Sequence, residues 1–188
     1  MKKEIEQIIL RSSSIIKEST SLSSDIEKAV TVIVNSLKKG NKVILFGNGG
    51  SAADAQHIAA EFIGRFQKER KSYPAISLTS DSSVLTSLSN DYSFDLIFSR
   101  QCESLVNADD VVIAISTSGN SQNIVKGLEM SREKGAKTIS LLGNSGGIIK
   151  NYSDIAIIVN SNVTAHIQEV HRVIYHIVCN FVEKSLSE

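Results

Sequence analysis

The chain has 188 residues, of which 41% are apolar and 21% are charged, and its 20 basic side chains balance 20 acidic ones. A chain of this length folds as one domain with one sizeable core, and its composition excludes a disordered or fibrous protein. The balanced charge creates no field that would attract nucleic acid or an anionic membrane, so we expect a small molecule as the partner.

The amino terminus, residues 1–10, is charged and amphipathic and lacks the apolar region of a signal peptide. No apolar stretch approaches the ~20 residues that a membrane-spanning helix needs. The two cysteines, Cys102 and Cys179, match neither a metal-knuckle spacing nor a secreted disulfide framework, which predicts reduced, structural thiols. We therefore expect a cytoplasmic protein.

Residues 1–39 carry two helical patterns, because apolar side chains recur twice at helical spacing. Ser24, with Glu27 three residues later, predicts a capping box at the start of the second helix, and Gly40 predicts its end. The serine-rich stretch between the two helices is predicted to be a turn. An apolar stripe on such a helix pair needs covering, so we expect this segment to associate with other copies of the chain.

From Lys42 onward, short apolar runs alternate with helical patterns, which is typical of βαβ units, a parallel sheet and right-handed crossovers. The runs are nearly all apolar, as expected of strands that helices cover on both faces. Five strands are predicted at residues 43–46, 75–78, 111–115, 138–142 and 155–159. Helices are predicted at residues 51–62, 82–88, 94–106, 121–134, 147–152 and 165–186.

These elements predict an α/β fold, a doubly wound sheet of five parallel strands in residues 41–188, with the helical pair of residues 1–40 in the same single domain. The best-fitting strand order is the flavodoxin-like 2-1-3-4-5. It places a ligand at the carboxyl ends of the first and third strands, where the order reverses.

The first strand runs into a glycine turn, residues 47–52, that matches the G-x-G-x-x-A form of the dinucleotide fingerprint. A nicotinamide site also needs an acidic residue ~20 positions later, and Asp81 comes about ten positions too late for it. The turn also lacks the Lys-Ser/Thr ending of a nucleotide P-loop. Two interpretations remain, an anion or sugar-hydroxyl site at a helix amino terminus and a tight turn capped by Ser51.

The third strand ends in a second loop, where four hydroxyls surround Gly119 at the start of a helix. Hydroxyl and amide donors can surround the oxygens of a phosphate monoester while the helix dipole offsets its charge, so no lysine is needed. A merely solvated loop accounts less well for four hydroxyls at one turn. The hydroxyl residues are Ser116, Thr117, Ser118 and Ser121, of which Ser121 can also serve as a helix cap.

The helix after the first loop carries His57 and Glu61 on one face, with Arg65 a turn further. The last predicted helix carries Gln168 and His176, eight residues apart and about 80° around the helix, so that both can face one cavity. An exposed helix pair is the plain alternative for His57 with Glu61, and a satisfied core histidine is the alternative for His176. Together the carboxylate, the two imidazoles and the amide supply a general base, a general acid and possible metal ligands.

These blocks together resemble the sugar isomerase (SIS) domain family, and within it the phosphoheptose isomerases. The resemblance spans nearly the whole chain. The matching blocks are residues 46–54, 56–61 with Gly64-Arg65, 89–91, 115–121, and 167–171 with His176.

The resemblance implies interconversion of sedoheptulose 7-phosphate and D-glycero-D-manno-heptose 7-phosphate through an enediol, for heptose biosynthesis in lipopolysaccharide or capsule. It implies Glu61 as the base and His176 as its acid partner. It also implies a phosphate held by the four hydroxyls of the second loop. The other residues implied near the substrate are Asn48, Gly49, Gly50, Ser51, Arg65, Asn90, Asp91 and Gln168.

The family resemblance also implies a zinc ion and an assembly. The zinc ligands would be His57, Glu61, Gln168 and His176, with one ion per subunit. The assembly would be a homotetramer whose active sites lie between subunits and whose amino-terminal helices form a central bundle. Some members of the family carry an aspartate where this chain has Ala165, so a carboxylate role at that position is in doubt.

The residue types present also suit the chemistry of an aldose-ketose isomerase. Aldose-ketose isomerisation moves a proton between adjacent carbons, and it needs a carboxylate to carry that proton and an acid to serve the oxygens. A nearby metal would polarise the carbonyl. The alternatives are a non-enzymatic relative that binds phosphosugars or associates with a replication initiator, and a phosphosugar lyase. His176 favours the enzyme, because the initiator-associating relatives lack a histidine at that position.

Overall fold

The computed structural model describes residues 1–187, and its centre is a single sheet of parallel strands. The strand order is β2-β1-β3-β4-β5, so the predicted flavodoxin-like order is confirmed. β1 and β3 pair from Val43 opposite Val111 to Gly47 opposite Ile115. The strands are β1 (Val43–Gly47), β2 (Ala75–Ser77), β3 (Val111–Ser116), β4 (Lys137–Leu142) and β5 (Ile155–Ile158).

Helices cover both faces of the sheet, as predicted for a doubly wound fold. The first apolar cluster packs α1, α2, α3 and α7 against one face, and the second packs α5 and α6 against the other. The helices are α1 (Lys2–Glu18), α2 (Ser23–Lys38), α3 (Gly50–Ile63), α4 (Ser82–Asp91), α5 (Ile97–Leu105), α6 (Gln122–Glu133) and α7 (Thr164–Leu186). Short 3-10 turns occur at Ser19–Leu22, Phe94–Leu96 and Ile149–Tyr152.

The alternation of side chains along the central strands explains why they are apolar throughout. In β1, Val43 and Leu45 enter the first cluster, while Ile44 and Phe46 enter the second. Every residue of β1 and β3 is buried, as expected for central strands of a parallel sheet. The edge strands β2 and β5 are only partly buried, because each has a neighbour on one side only.

The predicted capping box is wrong, because Ser24 lies inside α2 and no side chain caps that helix. The predicted turn is a 3-10 helix, so the chain stays helical from α1 into α2. Serine and threonine hydroxyls there donate backwards to carbonyls of α1, such as Ser19 to Ile15 at 2.8 Å, instead of accepting from the next helix. Gly40 ends α2 as predicted, with a φ of 85° that glycine adopts easily.

Both cysteines are buried and free, as predicted. α1 extends away from the core, and of its side chains only Ile15 is buried. Its exposed apolar residues are Ile5, Ile8, Ile9, Leu10 and Ile16. Within residues 1–187, no helix combines the length and the apolar character needed to cross a membrane.

Candidate active site

The two loops singled out in the sequence lie side by side, because β1 and β3 are neighbours and both loops leave their carboxyl ends. Asn48 in the first loop and Asn123 in α6 exchange two amide hydrogen bonds of 2.9 Å. Asn123 is buried, so this pair locks the first loop to the helix that follows the second loop. Sequence analysis missed Asn123, whose only signal was an amide just inside a helix.

The first loop is a tight turn whose glycines allow close approach of other atoms. Gly49 has a φ of 56°, and it directly precedes α3. A Cβ atom on Gly50 would collide with the amide of Gln168, so Gln168 from α7 lies directly against this loop. The alternative of a turn capped by Ser51 is wrong, because no side chain makes a capping hydrogen bond to α3.

The second loop folds around its own hydroxyls. Ser116 Oγ accepts the N–H of Gly119 at 3.1 Å, and Ser118 Oγ accepts the N–H of Asn120 at 3.2 Å. Ser121 directly precedes α6, but its hydroxyl makes no capping hydrogen bond. Ser116 and Ser118 accept hydrogen bonds here, and within residues 1–187 their hydroxyls donate none, so they remain free to donate to an anion at the amino terminus of α6.

The segment after β4 supports this second loop from outside. Asn144 donates its side-chain amide to the carbonyl of Thr117 at 2.9 Å, and it adopts a φ of 53° to do so. Gly119 and Gly146 touch so closely that a Cβ atom on Gly119 would collide with the Gly146 carbonyl. The conformation of the hydroxyl loop thus depends on a contact between two glycine backbones.

The ionisable residues of the site form a cluster where α3 meets α7. His57 Nε2 lies 3.0 Å from Glu61 Oε1, and the side chains are 42% and 23% exposed. The ring of His176 lies 5.4 Å from that of His57. Burial lowers the pKa of His176, and the neighbouring His57 lowers it further against the opposing effect of Glu61. At neutral pH His176 is therefore an uncharged imidazole that can both donate and accept a proton.

A hydrogen-bonded network next to this cluster was not found from the sequence; it joins buried Asp54 and Tyr175 to Arg172, whose side chain is 61% exposed. The Tyr175 hydroxyl donates to Asp54 at 3.3 Å and accepts from Arg172 Nε at 3.0 Å, and Arg172 also donates to Asp54 at 3.2 Å. The Tyr175 ring lies 5.5 Å from the His57 ring and 4.7 Å from the His176 ring. Burial, together with Asp54, raises the pKa of Tyr175, so it stays a neutral hydroxyl.

The four expected zinc donors are chemically suitable, since zinc binds imidazole nitrogen and carboxylate oxygen. In one chain, however, these four donors do not all lie close enough together to bind one ion. Gln168 and His176 are eight residues apart, about 12 Å along α7, and Gln168 lies against Gly50 at the far end of α3 from Glu61. Within residues 1–187, no three His, Cys, Asp or Glu side chains are placed to hold one ion.

Three further expected residues, Arg65, Asn90 and Asp91, pair with neighbours along the chain. Arg65 is 59% exposed and pairs with Glu69 at 3.7 Å. Asn90 donates to Asp91 at 2.8 Å at the exposed end of α4. In the described part of the chain, none of the hydrogen bonds or ion pairs of these three residues reaches the loops or Glu61.

The carboxylate and the phosphate-binding hydroxyls are also separated along the fold. Glu61 comes eleven residues after Gly50, about 16 Å along α3. A substrate bound by both groups of one chain must therefore be long and extended, or else a second copy of the chain supplies one of the two groups.

Comparison with known proteins gives one consistent result. The sequence matches the SIS domain family over residues 9–143. Phosphoheptose isomerase from Citrifermentans bemidjiense is 55% identical to this chain over 165 residues, which cover 88% of this chain and 86% of that relative.

Two solved structures share the whole architecture. Phosphoheptose isomerase GmhA from Neisseria gonorrhoeae superposes with a TM-score of 0.93 at 35% identity, covering 97% of this chain and 98% of its own. A phosphoheptose isomerase from Francisella tularensis superposes with a TM-score of 0.94 at 35% identity, covering 97% of each chain. The likeness therefore extends over both loops and over the helices that carry Glu61 and His176.

Proposed function

Since this chain belongs to the SIS domain family and, within it, to the phosphoheptose isomerases, we infer that it interconverts sedoheptulose 7-phosphate and D-glycero-D-manno-heptose 7-phosphate. The observation that carries this inference is the contact of Glu61, His57 and His176 at the junction of α3 and α7. A protein that only binds phosphosugars has no need of a carboxylate held against two imidazoles. The comparisons lend no support to such a non-enzymatic role.

The hydroxyl loop binds the phosphate in this proposal. The hydroxyls of Ser116, Thr117, Ser118 and Ser121 and the amino terminus of α6 donate to its oxygens. Asn48 and Gln168 face the sugar from the first loop and from α7. A phosphate held at one end fixes the position of the distant carbonyl carbon, which is the main requirement for a reaction between two neighbouring carbons.

Proton transfer is assigned to Glu61 and His176. Glu61 takes the proton from C1 of the ketose and returns it to C2, which forms and then consumes an enediol. His176 donates a proton to the C2 oxygen and accepts the proton of the C1 hydroxyl, as an uncharged imidazole can. His57, hydrogen-bonded to Glu61, holds the carboxylate in one orientation.

We also propose that the protein binds one zinc ion per subunit through His57, Glu61, Gln168 and His176, with His57, Glu61 and His176 from one chain and Gln168 from a second copy of the chain, because Gln168 of the same chain lies against Gly50. The support is the donor set, two imidazoles with a carboxylate and an amide oxygen, on two adjacent helices. A bound ion would polarise the substrate carbonyl. Mass spectrometry of metal content tests this, with about one zinc per chain expected in the wild type and a clear loss in His176→Ala. Equal content in both proteins would contradict the assignment.

The proposed assembly is a homotetramer with active sites between subunits, located in the cytoplasm. Its support is the exposed apolar face of α1 and an apolar groove of about 830 Å³ between α2 and α7. The groove is lined by Ile16, Ile26, Val30, Val173, Ile177 and Phe181, among others. The heptose phosphate that the enzyme makes would enter heptose biosynthesis for lipopolysaccharide or capsule.

Light scattering on purified protein tests the assembly, and complementation tests the shared site. Glu61→Gln, and a combined variant with Ser116, Ser118 and Ser121 all replaced by alanine, are each expected to be inactive alone. If a site combines the carboxylate of one chain with the hydroxyl loop of another, refolding the two variants together restores part of the activity. A mixture as inactive as its components would place both groups of each site in one chain.

Conversion of sedoheptulose 7-phosphate by the purified protein tests the reaction itself. We expect accumulation of an aldoheptose 7-phosphate, detected by chromatography after trapping of the aldehyde. Tight substrate binding without any product would instead support a phosphosugar-binding protein.

A further inference from the structure

A buried carboxylate on α7 organises the connection between α3 and β2. Glu183 has a side chain that is 2% exposed, and it accepts the backbone N–H groups of Phe66, Gln67 and Lys68 at 2.9, 2.8 and 2.8 Å. Arg70 Nε donates to it as well, at 3.1 Å. Burial alone would raise the pKa of Glu183, but these four donors outweigh it and lower the pKa, so the carboxylate is charged at neutral pH.

Arg70 completes this arrangement from the other side. Its side chain is 6% exposed and lies 3.9 Å over the ring of Tyr73. Its two terminal nitrogens donate to four backbone carbonyls, those of Glu61 at 2.7 Å, Phe62 at 2.8 Å, Gly64 at 3.1 Å and Lys71 at 3.0 Å. The carbonyls at the end of a helix lack partners inside the helix, so the guanidinium closes the carboxyl end of α3.

These contacts join the two helices that carry the proposed base and acid. Arg70 holds the backbone of Glu61 itself, and Glu183 holds Arg70. Glu183 follows His176 by seven residues, which is about two turns, so both side chains lie on one face of α7. Phe66, whose N–H is bound by Glu183, also lies 5.7 Å from the His176 ring.

We propose that the ion pair of Arg70 with Glu183, called here the clamp, positions Glu61 relative to His176 for proton transfer. Neither residue touches the substrate, so both are positioning residues. The proposal rests on the proposed isomerase function, since it concerns the geometry of that reaction. A clamp with only a general structural role would affect stability but would not affect turnover selectively.

The chain offers a matched control in a second buried ion pair. Asp110 is also 2% exposed, and it accepts from Lys42 Nζ at 2.6 Å and from the backbone N–H groups of Lys42 and Asn107 at 3.0 and 2.7 Å. It precedes β3, and within residues 1–187 the hydrogen bonds of its carboxylate go only to Lys42 and Asn107. Asp110→Asn therefore removes a similar buried ion pair whose carboxylate has no hydrogen bond to the clamp, Glu61 or His176.

The experiment compares Glu183→Gln, Arg70→Lys and Asp110→Asn with the wild type, each below its own melting temperature. Both clamp variants are expected to lose about 10- to 100-fold in kcat, because small displacements of reacting groups have effects of that size. KM should change by no more than about threefold, since the hydroxyl loop lies elsewhere. Lysine should fail to rescue, because it lacks the planar fork that reaches several carbonyls. Asp110→Asn should keep wild-type kcat.

The imidazole proton signals of His57 and His176 give a second readout that requires no turnover. They should shift in both clamp variants and stay unchanged in Asp110→Asn. Wild-type kcat and unshifted signals in folded clamp variants would overturn the proposal, as would equal losses in the control. A wild type without turnover would refute the isomerase, while the imidazole signals would still decide on the clamp.

Discussion

Replacing Gly119 with alanine tests whether the hydroxyl loop depends on its contact with the neighbouring segment. Gly119 has a φ of 70°, a conformation that disfavours alanine by about 1–2 kcal/mol. Its new Cβ would also lie 2.8 Å from the backbone nitrogen of Gly147 and even closer to the Gly146 carbonyl. Overpacking of this kind costs about 1–3 kcal/mol, so the total loss of unfolding free energy should be about 2–5 kcal/mol.

Gly40→Ala is the matched control, because Gly40 has a φ of 85° and a Cβ there would meet nothing within 4 Å. It should lose only the conformational part, about 1–2 kcal/mol. Chemical denaturation measures both losses. Displacement of the loop should also remove one or two charged hydrogen bonds to the phosphate, each worth about 1.5–3 kcal/mol, and so raise KM at least tenfold in Gly119→Ala alone. Equal stability losses and unchanged KM would refute the role of this contact.

Three further predictions concern buried groups. Burial lowers the pKa of His171 to about 4 in the folded protein. As the pH falls from about 6.5 to 4, the unfolded chain therefore binds a proton at this position before the folded protein does. Over that range the free energy of unfolding of the wild type should fall by about 3 kcal/mol more than that of His171→Leu. Parallel denaturation curves of the two proteins over that range would contradict this. Burial raises the pKa of Cys102 to about 11 and of Cys179 to about 12, so neither should react with a thiol reagent until the protein unfolds. Rapid labelling of native protein would exclude such protection. Tyr175→Phe removes two hydrogen bonds, one to Asp54 and one from Arg172, and should lower stability by about 1–2 kcal/mol in calorimetry. No change in stability would show that Arg172 alone satisfies the carboxylate.

The sheet could be predicted from the sequence because each strand is marked by residues that are adjacent in the chain. Each strand is a short apolar run between turn residues, and the order of such runs along the chain implies parallel pairing with right-handed crossovers. Each predicted strand differs from the observed one by a single residue at one end. The capping box failed because serine hydroxyls can donate backwards to a preceding helix as well as cap a following one, and the sequence pattern is the same in both cases.

The site was only partly predictable, because some of its contacts join residues that are far apart in the sequence. The pairing of His57 with Glu61 follows from helical spacing, and the neighbouring loops follow from the strand order. The pair of Asn48 with Asn123 and the clamp of Arg70 with Glu183 join residues 75 and 113 positions apart. No periodicity connects such positions, so these contacts appear only once the helices are packed.

Proton NMR of sedoheptulose 7-phosphate incubated in D2O with the wild type and with Glu61→Gln tests the central claim most directly. The wild type should produce an aldoheptose 7-phosphate that carries deuterium at C2, because the Glu61 carboxylate exchanges its proton with solvent while it serves both carbons. The variant should bind the substrate and give no product. An aldose formed at the wild-type rate by Glu61→Gln would contradict the assignment of the base.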